Sequence, residues 1–163
     1  MDLQHRIEKY FSLVYRYLTI RNRSEKEIRD YLQKKNADTD IIDAIVQKLY
    51  EQKFLDDEAF ARGWIRSRAM FRPRGKRMLQ MELQQKGIHK EIIEKVLNEE
   101  NEDVPDELTQ AKNIIGKRVA KLQGEPRHVI YQKVGAFLGR RGYGWDIIKK
   151  AIDQTIQNED SDK

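Results

Sequence analysis

The sequence predicts an all-α protein of three tandem three-helix repeats, and three observations carry that expectation. Apolar residues recur at helical spacing almost throughout, and no stretch alternates like a strand. Each of the three prolines, Pro73, Pro105 and Pro126, stands where one helical pattern stops and another begins. One pattern also occurs three times, as LQKKNADTDIIDAIV from Leu32, LQQKGIHKEIIEKVL from Leu83 and LGRRGYGWDIIKKAI from Leu138.

Taken in order, the first helix covers roughly residues 3 to 19, with Ile7, Phe11, Val14 and Leu18 on one stripe. The second helix of each repeat ends at the shared pattern. Asn36, Gly87 and Gly142 sit just past a helix end, where a left-handed backbone favours Gly and tolerates Asn. Ala37, Ile88 and Tyr143 then fold back as the apolar contact of such a cap. The acids Asp40, Glu91 and Asp146 follow in the first turn of the third helix, at its positive dipole end. The Ile pairs 41/42, 92/93 and 147/148 open its buried face, which continues through Ile45, Val46 and Leu49 in the first repeat. The leading helices of the later repeats are DDEAFARGWIRSR from Asp56 and DELTQAKNIIGKR from Asp106. They share an initial acid, Ala61 or Ala111, Ile65 or Ile115, and Arg68 or Arg118.

The expected units are residues 1–54, 55–102 and 103–157, with 158–163 as a disordered tail. Small units bury little area each, so contacts between neighbours must stabilise them, and an elongated, curved body is expected. The acidic segment 98–108 is the expected weak junction. Trp64 and Trp145 are expected in the core.

Charge sharpens the functional question. Charged residues make up 36% of the 163, yet 32 Lys+Arg against 27 Asp+Glu leave only +5. That total hides blocks. No acid lies between Glu58 and Glu82, where Arg62, Arg66, Arg68, Arg72, Arg74, Lys76 and Arg77 accumulate. Six acids crowd residues 99–107, and from Leu108 to Lys150 ten bases face only Glu125 and Asp146. Like charges four apart on a helix repel unless an anion accepts them, so the pattern points to a nucleic acid backbone or an acidic protein groove. The plainer reading is a solvated face paired with acids of neighbouring helices.

Other chemistry finds no footing. Without cysteine there is no disulfide, no Cys-ligated metal and no thiol nucleophile. His5, His89 and His128 are far apart and lack metal spacing. Gly139, Gly142 and Gly144 follow no strand, and the pairs Asp56-Asp57 and Asp106-Glu107 read as helix caps. No catalytic residue, cofactor or metal is therefore assigned. No apolar run approaches a bilayer span or a secretory signal, so a soluble cytoplasmic protein without a membrane partner is expected.

These residues resemble the RecX family of bacterial recombinase regulators over nearly the whole chain. The resemblance rests on RNRSEKEIRDYLQKK with VQKLYEQKFLDDEAFARGWIRSR, then RPRGKRMLQMELQQKGI, then VGAFLGRRGY with its Ile-Ile helix. Asn36 in place of a Gly cap and the acidic 98–107 segment depart from the family pattern. The resemblance implies a monomer that regulates, mainly by inhibition, the RecA recombinase in DNA repair, recombination and the SOS response. It implies binding in the groove of the RecA filament on single-stranded DNA, limiting filament extension and lowering ATPase, strand-exchange and coprotease activities. Single-stranded DNA is a partner through the filament or directly.

On that footing two contact surfaces are expected: Arg62, Arg66, Arg68, Arg72, Arg74, Lys76 and Arg77, and then Arg140, Arg141, Lys149 and Lys150. Arg141 also has a structural reading, as a base near a helix C-terminus. The alternative is a helix-turn-helix DNA-binding protein, from SEKEIRDYLQKKNADTDIIDAIVQKL; against it, the same turn occurs three times, whereas a base reader has one recognition helix per domain. A third reading is a helical scaffold for another acidic protein.

Overall fold

A computed structural model describes residues 2–162. Among the described residues there are nine α-helices and no strand: α1 (Leu3–Ile20), α2 (Glu25–Lys34), α3 (Thr39–Glu51), α4 (Asp57–Phe71), α5 (Lys76–Gln85), α6 (Lys90–Leu97), α7 (Glu107–Lys121), α8 (Arg127–Arg140) and α9 (Trp145–Ser161). Helices α1, α2, α4 and α7 begin where short polar side chains take up free backbone N–H groups. Asp2 accepts from His5 N at 2.8 Å, Asp56 from Ala59 N at 3.0 Å and Asp106 from Thr109 N at 2.7 Å. Ser24 and Glu27 cap α2 reciprocally.

The three repeated turns share one backbone solution. Asn36, Gly87 and Gly142 have φ of 63°, 79° and 92°. In each, the next residue's N–H reaches back five residues: Ala37 to Leu32 O at 3.0 Å, Ile88 to Leu83 O at 3.1 Å, Tyr143 to Leu138 O at 3.2 Å. The cap residue bonds three back, to Gln33, Gln84 and Gly139. This Schellman pattern satisfies two orphan carbonyls and turns the apolar residue inward. Ile88 and Tyr143 are buried and Ala37 is half-buried. Burial, with Glu107 nearby, pushes the Tyr143 phenol up to about 12, so it stays neutral.

Packing divides the chain into two compact units, Met1–Gly63 with Leu83–Val96, and Trp64–Glu82 with Leu97–Lys163. In the first unit, Val14, Ile28, Leu32, Ile41, Ile42, Ile45, Val46, Leu49 and Leu55 form the core, with Ile7, Phe11 and Leu18 packed against it. In the second, Ala111, Ile115, Val119, Ile130, Val134, Phe137, Leu138, Tyr143, Ile148, Ala151 and Ile152 do so. The second repeat contributes to both, because each of its neighbours uses part of it.

Each junction between repeats has two corresponding bonds, one to a cap-turn carbonyl and one to the first N–H of a second helix, with different donors to the carbonyl. In the first unit, Ser24 Oγ donates to the cap-turn carbonyl of Lys86 at 2.7 Å, and the Asp57 carboxylate accepts from Glu25 N at 2.9 Å. In the second, Gly75 N donates to the cap-turn carbonyl of Arg141 at 2.8 Å, and the Glu107 carboxylate accepts from Lys76 N at 2.6 Å. Asp57 and Glu107 therefore cap the second helix of the preceding repeat, whereas Asp56 and Asp106 alone cap their own helices.

Two expectations meet a different outcome. Trp145 is 59% exposed rather than core, because it is the first residue of α9 and the buried stripe begins one turn later, at Ile148. Its ring lies tilted against the Tyr131 ring, at 6.2 Å and 49°. Helix α9 runs to Ser161, through most of the stretch expected as a tail, since no Gly or Pro after Gly144 stops it. Lys163 lies outside the described residues.

The junctions generate two predictions. A Cβ on Gly142 would stand 2.4 Å from the Met78 Cβ, in a left-handed backbone. Gly142→Ala should thus cost at least about 2 kcal/mol in chemical denaturation, whereas Asn36→Gly, at an exposed turn, should change stability by less than about 1 kcal/mol.

Asp57 is 8% exposed, and burial raises its carboxyl above the ordinary 3.8 despite the Glu25 N–H bond. A raised carboxyl contributes stability only while protonated and loses it as pH rises from about 3.8 through its folded value. Asp57→Asn keeps the acceptor without the buried charge, so at pH 7 its melting temperature should match or exceed the native one, with any gain vanishing below pH 3.8. Asp57→Ala strands the Glu25 N–H and should cost about 1–3 kcal/mol.

Candidate functional site

The expected anion-contacting residues fall into two classes once side chains are placed. Arg62, in the first unit, is half-buried and paired with Glu58 of its own helix, which also accepts from Lys95 at 2.8 Å. Arg68, in the second unit, is held at 3.0 Å by Glu82, which also accepts the Trp64 indole N–H at 2.7 Å. The Arg68 guanidinium lies 5.0 Å over the Trp64 ring. Trp64 is thus half-buried in a polar lock rather than core. For Arg62 and Arg68 the carboxylate of a neighbouring turn or helix already answers the charge.

The remaining residues of that segment are not ion-paired. Arg66, Arg72, Lys76 and Arg77 are exposed and Arg74 is half-buried; among the described residues none of the five meets a carboxylate with its side chain. Between them Met70 and Phe71 are 68% and 76% exposed at the end of α4. An exposed aromatic and a thioether flanked along the chain by guanidinium groups without an ion pair have the composition of a protein-binding hot spot. Phe71 was legible only as an aromatic within a basic run, because helical phase alone does not show where α4 ceases to be covered.

The two expected surfaces meet at the second junction. The backbone bond from Gly75 to Arg141 brings Arg74 beside the Arg141 guanidinium. Burial, then the positive charges of Arg74 and Arg118, lower the Arg141 pKa from its ordinary range. Arg118 and Arg141 lie over the Phe137 ring, at 3.7 and 4.5 Å. Such stacking orients a guanidinium without neutralising it. Arg140, Lys149 and Lys150 are exposed in the same unit.

The contrast between repeats is marked. The first two are laced with ion pairs, such as Arg21 to Glu27 at 2.5 Å and Arg29 to Asp43 at 2.8 Å. Among the described residues of 103–157, none of the ten lysines and arginines makes an ion pair. Lys117, Arg118, Lys121 and Lys133 of this set were not singled out from sequence, where they are four bases scattered over 17 positions; only the packing of α7 on α8 gathers them. No group of three His, Asp or Glu among the described residues could hold a metal ion. No helix there is long and apolar enough to cross a membrane.

Comparison with known proteins agrees with this architecture. Three family models match the chain, described as the first three-helix domain of RecX over residues 11–49, the second over 56–97 and the third over 105–152. Among curated relatives, each named Regulatory protein RecX, that of Prosthecochloris aestuarii is 33% identical, the match covering 87% of this chain and 90% of the relative. That of Bacillus velezensis is 32% identical over 94% of this chain, and that of Oceanobacillus iheyensis 29% identical over 100%. The chain spans only 58% and 59% of those two relatives' own lengths. Among solved structures, that of RecX from Lactobacillus salivarius aligns with a TM-score of 0.86 at 22% identity, covering 95% of this chain and 99% of that one, which shows the shared fold.

Proposed function

Because the chain belongs to the RecX family, a family of regulatory proteins, we propose that it regulates the RecA recombinase, mainly as an inhibitor. In this reading it lies in the groove of the RecA filament on single-stranded DNA, in the cytoplasm and as a monomer. There it limits filament extension and lowers ATPase, strand-exchange and coprotease activities. The observation that carries the reading is a RecX-type helical repeat whose second compact unit presents unpaired cations beside exposed apolar side chains.

Arg66, Arg72, Arg74, Lys76 and Arg77, with Phe71 at their centre, are assigned to an acidic recombinase surface. Arg140, Arg141, Lys149 and Lys150 supply a second contact. Two weak contacts on one chain gain from effective concentration, and long-range attraction between basic and acidic surfaces speeds encounter. Arg62 and Arg68, being internally paired, contribute less. Against a helix-turn-helix reader, the turn of that reading, at Asn36, is the same cap turn that recurs at Gly87 and Gly142.

The deciding experiment titrates this protein into recombinase ATPase on single-stranded DNA. Inhibition is expected at or below one molecule per recombinase subunit, and undiminished ATPase at equimolar protein would overturn the reading. Arg66→Glu/Arg72→Glu/Arg77→Glu should raise the half-inhibitory concentration about tenfold or more while the helical melt shifts by less than about 3 °C, since these are exposed side chains. Phe71→Ala should weaken inhibition by a similar factor. Full potency in both variants would show that this surface is not the contact.

A further inference from the structure

The two repeat junctions share one residue register, and they differ in a single acid. Ser24 and Gly75 precede α2 and α5 at matching positions, and the buried residues that follow, Ile28 with Leu32 and Leu79 with Leu83, keep the same spacing. The leading helix before each ends on a side chain that is 76% exposed, Ile20 in α1 and Phe71 in α4. Packing agrees with the register. Tyr17 stacks on Tyr31 at 4.2 Å, and the residues at the matching positions, Arg68 and Glu82, form an ion pair at 3.0 Å.

At the first junction, three cations share the Glu27 carboxylate. Arg21 meets it at 2.5 Å, Arg23 at 3.7 Å and Lys86, from the cap turn of the next repeat, at 3.7 Å. The second junction keeps all three cations, as Arg72, Arg74 and the cap-turn residue Arg141, but has Met78 where the first has Glu27. The backbone follows the change: Glu27 accepts the Ser24 N–H at 3.2 Å, whereas the Gly75 N–H donates to the Arg141 carbonyl. We propose that Arg72, Arg74 and Arg141 together receive one carboxylate from an acidic side chain of a partner protein, as Arg21, Arg23 and Lys86 receive that of Glu27. The inference rests on the recombinase reading only for the identity of that partner.

The charges at the second junction are not answered from within. None of the three arginines makes an ion pair among the described residues. Burial, then Arg74 and Arg118, lower the Arg141 pKa, and no carboxylate offsets them. Glu107, the acid of this junction, is engaged with the Lys76 N–H. Guanidinium groups gathered by a backbone bond repel one another, so an anion arriving among them gains from each. Arg141 is oriented in advance by its stack on Phe137, which reduces the ordering required on binding. A protein carboxylate suits the site better than a phosphate, because a carboxylate is what the matching positions hold. Met70 and Phe71, exposed immediately before Arg72, add apolar surface of the kind that anchors protein interfaces.

The test supplies the second junction with its own acid. Met78→Glu in the full chain should weaken binding of a labelled oligoglutamate, followed by fluorescence anisotropy without recombinase, by about fivefold or more. The half-inhibitory concentration in recombinase ATPase should rise by a similar factor. Gln80→Glu, an equal charge change at an exposed position of the same helix, should leave both within about twofold. Arg72→Gln/Arg74→Gln removes two of the cations from the surface and decides the matter if Met78→Glu unfolds. It should also weaken both readouts about fivefold, and adding Met78→Glu to it should weaken them by no more than about twofold further, since the two changes disable one site. Equal effects of Met78→Glu and Gln80→Glu, additive losses in the combined variant, or weakening of labelled oligo-dT by Met78→Glu as great as that of oligoglutamate would each overturn the proposal. The two readings fail separately. A chain that leaves ATPase untouched yet shows the expected order with oligoglutamate loses only the recombinase, and one whose Met78→Glu variant binds oligoglutamate and inhibits ATPase undiminished loses only the carboxylate site.

Discussion

The constraint on which the rest of the structure depends is the pair of hydrogen bonds to free backbone groups of helix ends at each repeat junction. A cap turn offers its carbonyl, Lys86 or Arg141, to the residue preceding a second helix, Ser24 or Gly75. An acid from the start of the next repeat, Asp57 or Glu107, takes the first N–H of that helix. Groups that helix geometry must leave unsatisfied are thereby used to join one repeat to the next. Gly87 and Gly142 are the consequence. Their left-handed φ would tolerate Asn, as at Asn36, but a Cβ at either would collide with Lys26 or Met78.

The junctions also bear on where charge is left over. Acids of the first two repeats are engaged with local partners, Glu27 with Arg21 and Lys86, Glu58 with Arg62 and Lys95, Glu82 with Arg68 and Trp64. The third repeat has too few acids to do likewise, and its cations make no ion pair among the described residues; Arg118 and Arg141 stack on Phe137 and Lys112 donates to Gln154. Arg141 belongs to both accounts. Its carbonyl holds the junction and its guanidinium joins the cationic cluster, so the side chain can meet a partner without disturbing the backbone bond.

Much of this was legible in the residues. The three cap turns, the Ile pairs and the stripes of α1 and α3 follow from spacing and from the restricted set of residues that accept positive φ. The exposure of Trp145 was not legible, because helical phase places it near the buried stripe while only the packed neighbours show that this stripe starts a turn later. Nor was the division of labour between Asp56 and Asp57. Adjacent acids at a helix start look equivalent until the neighbouring helix end is in place, and then one caps its own helix and the other a different one.

By itself, the sequence determined helix content, threefold repetition and the separation of basic from acidic segments, because these depend on local propensity and on counting. Tertiary structure alone decided which cations remain unpaired. Glu58 and Glu82, which read as the far ends of an acid-free run, return to Arg62 and Arg68, while Lys117, Arg118, Lys121 and Lys133 converge on a single groove. The physical reason is that an ion pair or a binding groove depends on distances between elements far apart in the chain, which no periodicity along it encodes.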